Sequence, residues 1–118
     1  MIKSIILVFT LLFSLSLSSQ EAIQQWVYNT LERAQLNVDN GNFEAAEKIY
    51  YDYATSSYSS NSYDHFVILR SYAYFLLQQD RNDEALKYLQ LADQKRKMPP
   101  LDVFNLKFIL GQVLYAEG

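Results

Sequence analysis

Catalysis needs reactive side chains at working distances, and this chain offers few. His65 is the only imidazole, and it stands beside Asp64, a pairing that general acid–base work can use. The same two residues fall at the start of a helical stretch, where a solvated histidine is the ordinary arrangement. No HExxH, no glycine-rich phosphate loop and no GxSxG accompanies them. The chain has no cysteine, which removes thiolate zinc sites, disulfides and a Cys nucleophile. One histidine cannot build a multi-His metal centre. The expectation is a protein that is not an enzyme, with no catalytic residue, no metal and no cofactor.

Two clusters suggest binding instead. Tyr50, Tyr51, Tyr53, Tyr58 and Tyr63 fall among Ser and Asn, and Tyr-Ser-Asn surfaces adapt well to partners. They could stack on a sugar or grip a peptide, or Tyr50 and Tyr53 could be core residues with the rest at a loop. The one basic cluster, Lys95-Arg96-Lys97, falls where a helix is expected to end, and a helix C-terminus favours cations. With a formal charge of −3, the chain lacks the clustered Lys and Arg that phosphate-backbone binding draws on. No nucleic-acid partner is expected.

These residues must be positioned by helices. From Glu21 onward apolar residues recur at helical spacing. Ile23, Val27, Leu31, Ala34 and Val38 form one stripe, which Asn40-Gly41-Asn42 interrupts with a natural left-handed helix end. Phe43, Ala46, Ile49, Tyr50 and Tyr53 form a second, with a Glu44–Lys48 pair outside. Thr55 to Ser62 reads as a loop. The third stripe is Phe66, Leu69, Tyr72, Ala73 and Leu76, capped by Ser62 or Asp64. The fourth, Ala85, Leu86, Leu89 and Ala92, is expected to be capped by Asn82. Met98-Pro99-Pro100 stops it, since proline disfavours helix before it and suits a new first turn. The fifth is Val103/Phe104, Phe108, Leu110/Gly111 and Leu114.

The first residues read as an address. Lys3 is the only charge before Glu21, and Ile5 to Leu17 is apolar apart from Thr10, Ser14 and Ser16. A basic start, a short apolar run and small residues near the exit make a secretory signal peptide over residues 1–19. The run is shorter than the roughly 20 residues of a spanning helix, so the membrane is met only through this segment if it stays uncleaved. Its removal takes away Lys3 alone, moving the charge from −3 to −4. Residues 20–118 then form one helical domain, exported to what reads as a bacterial periplasm.

The helices repeat. Ala34 and Ala46 are 12 apart, as are Ala73 and Ala85, and the second pair is displaced from the first by 39 residues. Ala73 to Gly111 is 38. Recurrence of a helix–turn–helix unit at such a period is the signature of an α-solenoid. The second unit carries Leu69, Tyr72-Ala73, Leu76, Ala85, Leu89, Ala92 and Pro99. The third carries Leu110-Gly111, Leu114 and Tyr115, and the first Gly41-Asn42-Phe43, Ala46 and Tyr50. This wording resembles tetratricopeptide (TPR) repeats, with Asp80 in place of the turn glycine and Tyr53 in place of a small residue. The resemblance implies an all-α fold, an α-solenoid of about two and a half repeats after a signal peptide. The units span about 23–61, 62–99 and an incomplete 100–118. Gly118 falls where the third unit would turn, so the sequence reads as part of a longer or a truncated solenoid.

The resemblance also implies a groove on the inner faces of the first helices. Arg70, Tyr74 and Gln78 from the second unit and Asn105, Phe108, Gln112 and Tyr115 from the third are the candidate partner-binding residues. Aromatic, amide and Arg groups suit an extended peptide or a partner helix. The expected role is an exported adaptor that docks another envelope protein or peptide segment. In its layout the chain resembles the periplasmic TPR partners of TonB-type energy-transducing systems. The alternatives are the extracytoplasmic sensor part of a membrane signalling protein and a carbohydrate-binding module using the tyrosine cluster.

Overall fold

The computed structural model describes residues 23–117; the expected signal peptide and Gly118 lie outside the described residues. The described chain is all-helical: α1 Gln25–Asp39, α2 Phe43–Ala54, α3 Tyr63–Gln78, α4 Asn82–Asp93 and α5 Pro100–Glu117. Each helix packs against the next along the chain, and α1 also reaches α3. None of these helices is long and apolar enough to cross a membrane.

Two of the turns are built alike. After α1, Gly41 N–H donates to Val38 O at 3.0 Å and Asn42 N–H to Asn37 O at 2.8 Å. After α3, Asp80 N–H donates to Leu77 O at 3.0 Å and Arg81 N–H to Leu76 O at 2.9 Å. Both are Schellman ends, which satisfy the last carbonyls of a helix by turning one residue left-handed. Gly41 has φ +79 and Asp80 has φ 60. Aspartate is among the few residues with a side chain that visit this region routinely, so the expected turn survives the loss of its glycine.

The core follows the expected stripes in α1, α3 and α4. Ala34, Ala46, Ala73 and Ala85 are all 0% exposed, as small residues must be where helices approach closely. The centre is α3, buried without a break from Phe66 to Ala73. Tyr50 of α2 stacks on Tyr72 at 5.9 Å and meets Phe75 at 5.4 Å. Tyr72 meets Tyr88 of α4 at 4.5 Å, so a chain of rings joins three helices. Burial, with some help from Asp39, pushes the Tyr50 phenol up to about 12.

Several expectations need correction. Ser62 caps α3, its Oγ accepting from His65 N–H at 3.1 Å, but Asn82 does not cap α4. The Schellman turn leaves no spacer: Arg81 closes it and is already the residue preceding α4, with Asn82 inside the helix. Phe43 is exposed. Lys48 reaches forward to Asp52 at 3.0 Å and not back to Glu44. The basic triplet lies beyond the last turn of α4, which ends at Asp93. There it fastens the Ser-rich loop: Lys95 Nζ donates to Ser59 O at 3.0 Å and Arg96 N–H to Ser60 O at 2.9 Å. In α5 the expected stripe is turned mostly outward. Asp102, Asn105, Leu106, Ile109, Leu110 and Val113 are buried, while Phe104, Phe108, Gly111 and Leu114 are exposed.

Candidate functional site

α3 and α5 carry all seven candidate groove residues, and a buried ion pair ties the two helices together. Arg70 interrupts the apolar run of α3, and its Nη1 donates to Asp102 Oδ1 at 3.1 Å. The two side chains are 1% and 0% exposed. The Arg70 guanidinium carbon also sits 5.2 Å from the centre of the Phe66 ring, a cation–π distance. Asp102 reaches it because Pro100 opens α5, where a missing N–H costs nothing, and this places Asp102 in the first turn. A charge taken out of water needs such a partner. One helical turn on lie Tyr74 and Asn105. Tyr74 is half-buried, and burial pushes its phenol up to about 12, with Arg70 opposing and Asp102 adding to the shift. Asn105 is buried.

The seven residues therefore separate by depth. Arg70 and Asn105 lie beneath the surface and Tyr74 at its edge, while Gln78, Phe108, Gln112 and Tyr115 are exposed. Phe108 and Tyr115 share their side of α5 with Leu101, Phe104 and Gly111, all exposed. Tyr115 is 86% exposed and Phe104 66%, so this half of α5 is an open aromatic surface.

The tyrosine cluster does not form one platform. Tyr50 and Tyr63 are buried, Tyr53 tilts against Trp26 at 5.8 Å, and Tyr58 stacks on His65 at 4.2 Å. Tyr51 alone of the five is exposed. His65 and Asp64 face different neighbours. The Asp64 carboxylate accepts from Gln24 Nε2 at 2.8 Å and from Gln24 N–H at 3.2 Å. His65 Nε2 donates to Ala54 O at 2.8 Å, closing the end of α2 against the start of α3. Burial holds the His65 pKa below its usual value, with the Ala54 bond opposing and Lys95 assisting.

A polar staple on α2 was not anticipated from the sequence. Glu47 Oε1 and Oε2 accept from Arg81 Nη1 and Nη2, each at 2.7 Å, and Oε2 also accepts from Tyr72 Oη at 2.7 Å. Arg81 Nε meets Glu84 Oε1 at 2.7 Å. The Arg81 bonds hold the carboxyls of Glu47 and Glu84 below the usual range. The signal available in the sequence was Arg81 itself, a long cation at the turn between two helices.

No group of three His, Asp or Glu side chains able to hold a metal ion occurs among the described residues. Compared with protein-family models, with curated proteins and with solved structures, the chain matches none of them.

Proposed function

We propose that this chain is an exported, TPR-like adaptor that docks another envelope protein or a peptide segment of one. The observation that carries the reading is the set of exposed polar and aromatic residues on α3 and α5. The buried Arg70–Asp102 pair links these two helices, and Gln78, Phe108, Gln112 and Tyr115 on them are exposed. Aromatic and amide groups suit a peptide or a helix. The 38–39-residue displacement between equivalent small residues supports a repeat architecture, and the apolar start supports export. A TonB-type transport complex is the kind of assembly this reading places it in.

The test is a photocrosslinking side chain at Gln112 or Tyr74 in the native envelope. The expected result is one discrete adduct with an envelope protein, weakened by Gln78→Ala. A folded protein that yields no heterologous adduct at either position contradicts the groove.

A further inference from the structure

The Ser-rich loop 55–62, which joins α2 to α3, is fastened from two sides. On one side His65 of α3 reaches back to it. His65 Nε2 donates to Ala54 O at 2.8 Å, and its ring stacks on Tyr58 at 4.2 Å. On the other side the segment after α4 holds the loop's carbonyls, Lys95 Nζ on Ser59 O at 3.0 Å and Arg96 N–H on Ser60 O at 2.9 Å. Lys97 turns the chain behind these contacts with φ 62, a left-handed conformation that lysine rarely adopts. Such backbone persists where its surroundings fix it.

His65 can do this in one protonation state. A carbonyl only accepts, so Nε2 carries the proton of the neutral ring and Nδ1 is left bare. Nδ1 is buried and has no hydrogen-bond partner. A bare ring nitrogen loses little there. Once protonated, it becomes a buried N–H without an acceptor on a charged ring, which is costly.

We infer that His65 is an acid-sensitive latch: a proton taken up at Nδ1 releases the 55–62 loop while the helices stay packed. The groups around the ring set the direction. Burial disfavours the imidazolium and Lys95 repels it, which holds its pKa below the ordinary 6.5. His65 also lies in the first turn of α3, where the helix dipole disfavours a cation. The Ala54 carbonyl and the face of the Tyr58 ring oppose these effects. The Asp64 carboxylate is engaged by Gln24, and the Tyr53 and Tyr58 phenols carry no charge in acid.

Both fastenings weaken together. Protonated His65 meets Lys95 as a like charge, so the ring that stacks on Tyr58 and the ammonium that holds Ser59 repel one another. The open loop frees the imidazole to water, where it binds a proton more tightly than in the closed state, so acid favours opening. The latch is closed above about pH 6.5 and opens as pH falls toward the lower closed-state value. Packing of α2 on α3 does not depend on it, because Tyr50 meets Tyr72 and Phe75 further along α3.

The experiment is NMR-detected amide hydrogen exchange of the full chain at about pH 7.5 and about pH 5, corrected for the intrinsic effect of pH on exchange. The reporters are Arg96 N–H, bonded to Ser60 O, and Ser62 N–H, bonded to Ser59 O. Their protection should fall about threefold or more in acid, while Ala73 within α3 keeps its own. His65→Gln retains an N–H donor but takes up no proton in this range, and it should remove the fall. Protection unchanged by pH overturns the proposal, and so does an equal fall in His65→Gln. A fall shared by Ala73 overturns it too, since the whole domain would then be opening. Should His65→Gln lose its fold, the imidazole titration of the native chain decides: a midpoint below 6.5 supports the latch, and one at or above 6.5 overturns it.

Discussion

A displacement of 38 residues along the sequence sets α3 beside α5, yet one is enclosed and the other is half open. Phe66 and Phe104 correspond by that displacement; Phe66 is 1% exposed and Phe104 66%. Ala73 corresponds to Gly111 in the same way, the first pressed between helices and the second in the open. The difference comes from neighbours and not from the helices' own sequences. Among the described residues α3 packs with α2 and α4, while α5 packs chiefly on α4. The same kind of apolar residue is therefore buried in one helix and exposed in the other.

The largest expected effect separates the two directly. Phe66→Ala should cost about 3–5 kcal/mol of unfolding free energy, the usual range for a buried Phe. Phe104→Ala should stay within about 0.5 kcal/mol in dilute solution. Denaturant titrations of the two variants provide the comparison, and equal losses would erase it.

The link between the helices comes next. Asp102→Ala leaves Arg70 charged and buried, which should cost about 3–5 kcal/mol. Replacing both, Arg70→Met with Asp102→Leu, should recover most of that loss, because the desolvation of two charges disappears with the pair. A double variant as unstable as the single one would mean that the pair holds α5 by geometry that apolar packing cannot replace.

Gly111→Ala sharpens the contrast in the other direction. It should raise the stability of the dilute protein by about 0.5–1 kcal/mol, since the added methyl meets nothing within 4 Å. Thermal melts of the dilute protein check this, and a destabilised variant would show that Gly111 is packed after all.

The smallest effect concerns pH and the turn between α2 and α3. The His65 pKa is lowered from its ordinary 6.5, chiefly by burial, so the unfolded chain takes the proton first as pH falls. Its contribution is full above about pH 6.5 and is lost as pH falls toward the lower folded value. The charged and titratable groups around it are Tyr58, Asp64 and Lys95. Glu47 and Glu84 act in the same direction but only below their ordinary 4.5. Urea midpoints at pH 7.5 and 5.5 should differ more in the native chain than in His65→Asn; equal slopes would remove His65 from the account.

The parts of this fold that could be read from sequence were those with both a period and a boundary. Val27 to Val38 ends at Gly41, and Phe66 to Leu76 begins at Ser62, so one face and one cap were available for each helix. In α5 the apolar residues surround almost the whole helix, so periodicity could not choose a side, and the large aromatics pointed to the wrong one. Asp102 was the better guide. A carboxylate three residues after Pro99 answers Arg70, a cation set inside the apolar run of α3. Arg70 and Asn105 were assigned to an open groove because offsets from a stripe report direction, and direction does not report depth. The basic triplet was misplaced for a related reason. Helix-end electrostatics gave it a place, but its actual contacts are with Ser59 and Ser60, about 36 residues earlier in the chain.

The most direct measurement is hydroxyl-radical footprinting of the full chain over a concentration series. Phe66 and Tyr72 should be protected at every concentration. Phe104, Phe108 and Tyr115 should be oxidised in dilute solution. Protection of Phe104 and Tyr115 in the dilute protein would contradict the assignment of one side of α5 as open.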